Sequence, residues 1–143
     1  LPMEVVSRLG KATRLITRDY LNPFFKKYGL QQGEFDVIAT LRRSGHPYTL
    51  APTQLFEALM ISSGGMTNRL DRLENAGLIE RAPNPEDRRG TLVSLTAKGI
   101  ELTGEIVPLH VENESRALST LDQSEQQQLN ELLAKLLEGM KEE

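Results

Sequence analysis

From Val5 to Ile16 apolar residues recur at helical spacing: Val5, Val6, Leu9, Ala12, Leu15 and Ile16, with Arg8, Lys11, Arg14 and Arg18 between or just beyond them. This pattern predicts an amphipathic helix over residues 3 to about 28. Pro23 has no amide proton and disfavours helix at Asn22, so a break or kink is expected there before Phe24, Phe25 and Tyr28, and Gly29 ends the segment. Such a helix either covers a core or pairs with another chain. Phe35, Ile38 and Leu41 predict a second helix from about Gln31 to Arg43, with Gly45 as its stop. The stretch GHPYTLAP then reads as a loop in which Pro47 holds His46 extended. Pro52 suits the first position of a short helix to Leu59 that buries Leu55, Phe56 and Leu59, although Ala51 is a weak cap for it.

The stretch from Ser62 to Arg81, SSGGMTNRLDRLENAGLIER, organises the rest. Met66, Leu70 and Leu73 form one apolar stripe, and Gly64, Asn68, Asp71, Arg72 and Asn75 fall roughly opposite it. Ser62 or Ser63 can cap the start, and Gly77 stands where a left-handed residue ends a helix. Two helices separated by about four residues, the second polar on its outer face, have helix-turn-helix spacing. Amide, hydroxyl and guanidinium groups on that face match the donors and acceptors of base edges and phosphates. By itself the pattern is also that of any solvated amphipathic helix.

The segment after Gly77 strengthens the nucleic-acid reading. Residues 78–82 are β-prone, PNPEDRRG holds turn residues and charges, and Leu92, Val93 and Leu95 alternate imperfectly with Thr91, Ser94 and Thr96. This predicts a β-hairpin with a long charged tip, a wing whose Arg88 and Arg89 suit the negative potential of a narrow minor groove. Asp87 is placed to orient one of these arginines through a charge-assisted hydrogen bond. Thr96 should cap a helix that carries Leu102, Ile106, Val107 and Leu109 and kinks at Pro108. Asp122 and Glu125 have capping-box spacing and open a last helix with Leu129, Leu132, Leu133, Leu136, Leu137 and Met140 along one face. That apolar face needs a partner, either the first helix of the same chain or a second copy.

The 143 residues suffice for one domain with a core, and no apolar run reaches membrane-spanning length. With no signal-peptide pattern in view, a soluble, cytoplasmic protein without membrane contact is expected. The absence of cysteine excludes disulfides, thiolate metal sites and thiol redox sensing. His46 and His110 lack metal-ligand spacing, so neither a metal nor a cofactor is expected. The net charge of −3 hides an uneven distribution. Residues 1–49 carry 8 basic and 4 acidic groups, residues 50–98 carry 6 and 6, and residues 99–143 carry 3 and 10. Phosphate would repel that acidic tail, so a DNA-facing surface has to exclude the last two helices.

Together the residues resemble the multiple antibiotic resistance regulator (MarR) family of bacterial winged helix-turn-helix proteins. The most specific part is MTNRLDRLENAGLIERAPNPEDRRGTLVSLTAKG, with Thr67, Leu70, Asp71, Arg72, Leu73, Gly77-Leu78, Glu80-Arg81, the wing signature Asp87-Arg88-Arg89-Gly90, Leu95-Thr96 and Gly99. SGHPYTLAPTQL is similar to a subgroup that includes urate-responsive members. The resemblance implies a mostly α fold with a small β-hairpin wing: a DNA-binding lobe over residues 30–97 and a helical dimerisation region over 1–29 and 98–143. It further implies a homodimer on the double-stranded DNA of a palindromic operator, and a repressor released by a small, often aromatic or carboxylate, ligand. Two departures count: without tryptophan the chain lacks the residue that urate-responsive members use near the N-terminus, and without cysteine it lies outside the oxidant-sensing branch.

The expected DNA contacts are Ser62, Ser63, Thr67, Asn68, Arg69, Arg72, Asp87, Arg88 and Arg89. For the effector, a pocket bordered by the first two helices and the base of the lobe would use Phe24, Phe35, His46 or Tyr48 as walls and Arg14 or Arg81 for an anion. A winged helix that binds protein instead of DNA is the alternative, allowed by the balanced charge of residues 50–98. No nucleophile–base pair, phosphate-binding glycine loop or metal spacing supports an enzyme.

Overall fold

The computed structural model describes residues 1–59 and 63–140. Helix α1, Pro2–Ile16, does not break at Pro23 but passes through a π-helical segment, Thr17–Leu21, into α2, Asn22–Lys26. The wider register places the Asn22 N–H on the Thr17 carbonyl. A proline ring clashes with the carbonyl four residues before it in a regular helix, and the extra residue in that turn relieves the clash. Sequence periodicity carries no signature for such a bulge.

Gly29, Gly45 and Gly77, the three expected stops, all have positive φ, at 70°, 83° and 77°. Helix α3, Gln32–Arg43, buries Phe35, Val37, Ile38 and Leu41, and its Glu34 carboxylate accepts the Gln31 N–H at 2.9 Å. Helix α4 is Pro52–Leu59. Its weak cap is compensated by Gln54, whose side-chain oxygen accepts the Ala51 N–H at 2.8 Å. Helix α5, Ser63–Asn75, begins four positions after α4 ends.

The expected loop around Pro47 contains a short strand, β1, Thr49–Leu50. It pairs antiparallel with Ser94 and Val93 of β3, Asp87–Leu95, which also pairs with β2, Ile79–Asn84, so the sheet order is β1-β3-β2. Two residues are too few to show alternation, and their partners lie 45 or so positions away, so only the fold could reveal this strand. The hydroxyls of Thr49 and Ser94 share a 2.7 Å hydrogen bond across the ladder.

Helix α6, Ala97–Ala117, runs through Pro108 as one element, and Thr96 caps it by accepting the Gly99 N–H at 3.1 Å. Helix α7, Gln123–Gly139, opens on the Asp122–Glu125 capping box. Long-range hydrogen bonds tie α6 to the rest. Arg42 donates to the Ile100 carbonyl at 2.7 Å and to Thr103 Oγ1 at 2.9 Å. Asn113 donates to the Tyr20 carbonyl, inside the π-helical segment, at 2.8 Å.

The core joins Phe24 and Phe25 of α2 to Phe35, Ile38 and Leu41, Leu55, Met66, Leu70 and Leu73, Ile79, Val93, and Ile106 of α6. Neither α1 nor α7 contains a buried residue. Their apolar faces border an open groove of about 540 Å³ lined by Val5, Leu9, Ile16, Leu118, Leu129 and Leu133. Within one chain the terminal helices therefore do not bury one another. No helix of the described residues is long and apolar enough to cross a membrane.

Candidate nucleic-acid interface

The stripe Met66, Leu70 and Leu73 is buried in the lobe, which turns Thr67, Asn68, Asp71, Arg72 and Asn75 to the exposed side of α5. Ser62 lies outside the described residues, and Ser63 is placed only as the first residue of α5. Both arginines of this helix reach toward α3. The Arg69 guanidinium covers Gly33, where a Cβ would collide with it. It is thus packed against the helix next door. Arg72 is exposed but its Nε donates to Oε2 of buried Glu34. Sequence spacing places Arg72 outward without showing this partner, because Glu34 lies 38 positions earlier.

The hairpin is tighter than expected. Asn84 pairs with Asp87, so Pro85 and Glu86 alone form the turn, and the Asn84 side chain accepts the Glu86 N–H at 3.0 Å. The next pair is Pro83 with Thr91, which leaves Arg88, Arg89 and Gly90 without partners on β2. This bulge lifts both arginines out of the ladder, and both are exposed. Asp87 does not orient a guanidinium. Its Oδ1 accepts the Arg89 backbone N–H at 3.0 Å, so its carboxylate orders the bulge through the main chain.

Helix and wing are held in fixed relation by ion pairs and carbonyl contacts. Arg81, on β2, reaches back to Asp71 at 2.7 Å and Glu74 at 2.8 Å, and the hydrogen bonds it donates to Glu74 and Asp71 raise its already high pKa. Beyond α5, Lys98 Nζ donates to the Ala76 carbonyl, Thr96 Oγ1 to that of Gly77 and the Thr96 N–H to that of Leu78, at 2.8, 2.6 and 3.0 Å. Gly99 is required here because a Cβ would run into the Leu78 carbonyl. Three successive carbonyls just past the end of α5 are thereby satisfied by the first turn of α6 and its cap.

The residues expected to line an effector pocket are not brought together as one group. Arg81 is held by its two carboxylates on the wing side. Arg14 is exposed on α1 beside Lys11, Arg18 and Asn22. His46 and Tyr48 meet each other edge-on, ring centres 6.0 Å apart, next to β1. Phe24 and Phe35 do converge, but on a residue to which the sequence pattern assigns no role, His110 of α6, at 5.1 and 4.9 Å between ring centres. Phe25 closes the cluster at 4.9 Å from His110. Burial pushes the His110 pKa down, against the opposing pull of Glu114 and Asp36. Burial also raises the Asp36 carboxyl, with Arg69 the largest opposing charge. Beside this cluster, between α3 and α6, lies a cleft of about 450 Å³ walled by Phe35, Ala39, Val107 and His110, with Arg43 and Glu114 also lining it. A polar residue recurring in register with the apolar positions of α6 is the signal the sequence offers, since His110 follows Ile106 by four.

Comparison with known proteins gives this geometry a family. The chain is 44% identical over 135 residues to the HTH-type transcriptional regulator PecS of Dickeya dadantii (strain 3937), covering 94% of this chain and 81% of that protein. It belongs to the MarR family of transcriptional regulators. A MarR family model matches residues 28–90. The HTH-type transcriptional regulator MhqR of Bacillus subtilis (strain 168) is 32% identical over 128 residues, 90% of this chain and 86% of that one. Among solved structures, the MarR family regulator Sco3205 of Streptomyces coelicolor in complex with DNA superimposes with a TM-score of 0.89 at 25% identity, covering 98% of this chain and 88% of that one. In this MarR-family chain, then, α4 and α5 are the helix-turn-helix and β2–β3 is the wing.

Proposed function

We propose that this MarR-family protein is a homodimeric, sequence-specific DNA-binding repressor acting in the cytoplasm. In this reading α5 enters the major groove of each half of a palindromic operator. The observation that carries it is the pairing, on one braced lobe, of an exposed amide-and-hydroxyl helix face at Thr67 and Asn68 with an arginine-bearing wing bulge. Asn68 supplies donor and acceptor groups that match a base edge, and Arg88 and Arg89 supply phosphate or minor-groove attraction. The likeness to Sco3205, solved with DNA, supports the same use of the fold.

Residues 30–97 form the DNA-binding lobe in this reading, and residues 1–29 with 98–143 the dimerisation region. Support for the second copy comes from the terminal helices: Val6, Leu132 and Leu137 are 70%, 65% and 57% exposed. An apolar surface of that extent on α1 and α7 is stabilised by burial against a like surface. The small-molecule effector, an aromatic or carboxylate compound, is assigned to the cleft between α3 and α6. There Phe35 and His110 offer ring faces and Arg43 a cation, at the junction of the lobe with the dimerisation region. A ligand that prefers the non-binding conformer there releases DNA.

The experiment is to capture fragments of the source genome with the purified protein and measure binding of a retained fragment at several salt concentrations, with and without a panel of aromatic acids. Affinity falling steeply with salt and further with at least one acid is expected. Duplex binding independent of both would overturn the proposal.

A further inference from the structure

Arg72 stands nine positions after the first residue of α5, about 13 Å along the helix axis at roughly 1.5 Å per residue. A recognition helix reads base edges with its N-terminal residues, so with α5 in a major groove Arg72 would sit at the rim, beside the phosphates. Its guanidinium is held from behind. Glu34, 2% exposed, takes the Arg72 Nε on one carboxylate oxygen and the Gln31 N–H on the other, so the carboxylate itself is fixed in place at the start of α3. A guanidinium gripped through Nε keeps the four N–H bonds of its two Nη groups. These carry no protein hydrogen bond among the described residues, and the side chain is 56% exposed.

Resting on the DNA-binding reading above, we infer that Arg72 is a phosphate clamp and that Glu34 is the positioning residue that aims it. The clamp recognises the phosphodiester of duplex DNA through the fork geometry of the guanidinium and carries no base preference. The Arg69 guanidinium lies over Gly33 and has no carboxylate gripping it in this way among the described residues.

The test measures binding to a fragment retained by the wild-type protein and to a scrambled duplex of equal length, over a range of salt. Arg72→Ala should weaken both duplexes by a similar factor, about five- to tenfold, and lower the salt slope by about one unit. Arg72→Lys, a change at an exposed position that should fold normally, should keep the slope and lose about threefold on both duplexes, because a point charge replaces the fork. Glu34→Gln retains an acceptor for the Gln31 N–H and should weaken both about threefold, since the neutral amide grips the guanidinium less firmly than a carboxylate. The double variant Glu34→Gln/Arg72→Ala should bind like Arg72→Ala alone, since Glu34 acts through Arg72. Thermal melting of each variant checks folding. Loss on the retained fragment alone would make Arg72 a base reader and overturn the clamp. Additive losses in the double variant would overturn the positioning role of Glu34. If the wild-type protein binds neither duplex, the DNA-binding reading itself fails, an outcome distinct from both.

Discussion

The hydroxyl of Thr96 donates to the carbonyl of Gly77 at 2.6 Å while accepting the N–H of Gly99 at 3.1 Å. One side chain therefore closes the turn that follows α5 and begins α6. Thr96→Val removes both bonds at nearly constant shape and leaves the Gly77 carbonyl without its donor. A loss of about 1–2 kcal/mol is expected in urea unfolding, with Thr96→Ser within about 0.5 kcal/mol of wild type. Equal stability of the Val and Ser variants would show that the hydroxyl is dispensable.

His110 should make stability fall below neutral pH. Its pKa is lowered in the folded protein by burial among Phe24, Phe25 and Phe35, while the unfolded chain titrates near 6.5. Its contribution is complete above that value. Below it the unfolded state binds the proton first, so the contribution is lost as pH falls toward the folded pKa. Glu114 and Asp36 oppose the shift and narrow the window. Urea midpoints between about pH 5 and 7.5 should drop on acidification for wild type and flatten over the same range in His110→Phe. Parallel curves would remove His110 as the cause.

For the dimer, the measurement is mass in solution. Leu133 lines the groove between α1 and α7, and Leu137 is largely exposed in the single chain. Leu133→Glu with Leu137→Glu would place unpaired carboxylates in the apolar contact. Analytical ultracentrifugation should then report single-chain mass, or unfolded protein by circular dichroism, where wild type gives twice that mass. A folded double variant with wild-type mass would exclude this face as the interface.

Helix and wing should separate in their effects on DNA. Asn68→Ala removes the base-edge contact proposed above and should relax preference at particular positions by about 1–3 kcal/mol. Arg89→Ala should instead weaken specific and scrambled duplexes by similar factors and lower the salt slope by about one unit. Asp87→Ala should reproduce part of that loss by releasing the Arg89 N–H and loosening the bulge. Wild-type binding of both duplexes by Arg89→Ala would remove the wing from the interface.

Local pattern alone is enough to place the helices of this protein and its hairpin, because each is encoded by residues a few positions apart. The period of Met66, Leu70 and Leu73 defines the buried stripe of α5, and Gly29, Gly45 and Gly77 end helices where a positive φ is easily adopted. The motif running from Met66 to Gly99 likewise points to the family without any knowledge of the fold. Relations between distant segments are decided only by the tertiary structure. Glu34 and Arg72, His110 and the phenylalanines of α2 and α3, and Thr49 with Ser94 meet across 38 or more positions, and neither period nor propensity specifies which side chains face each other at such separations. The same reason hides the neighbours of two arginines: Arg69 and Arg81 look like free cations in the sequence, and the packing of α5 against α3 and of β2 against α5 supplies Gly33, Asp71 and Glu74 beside them.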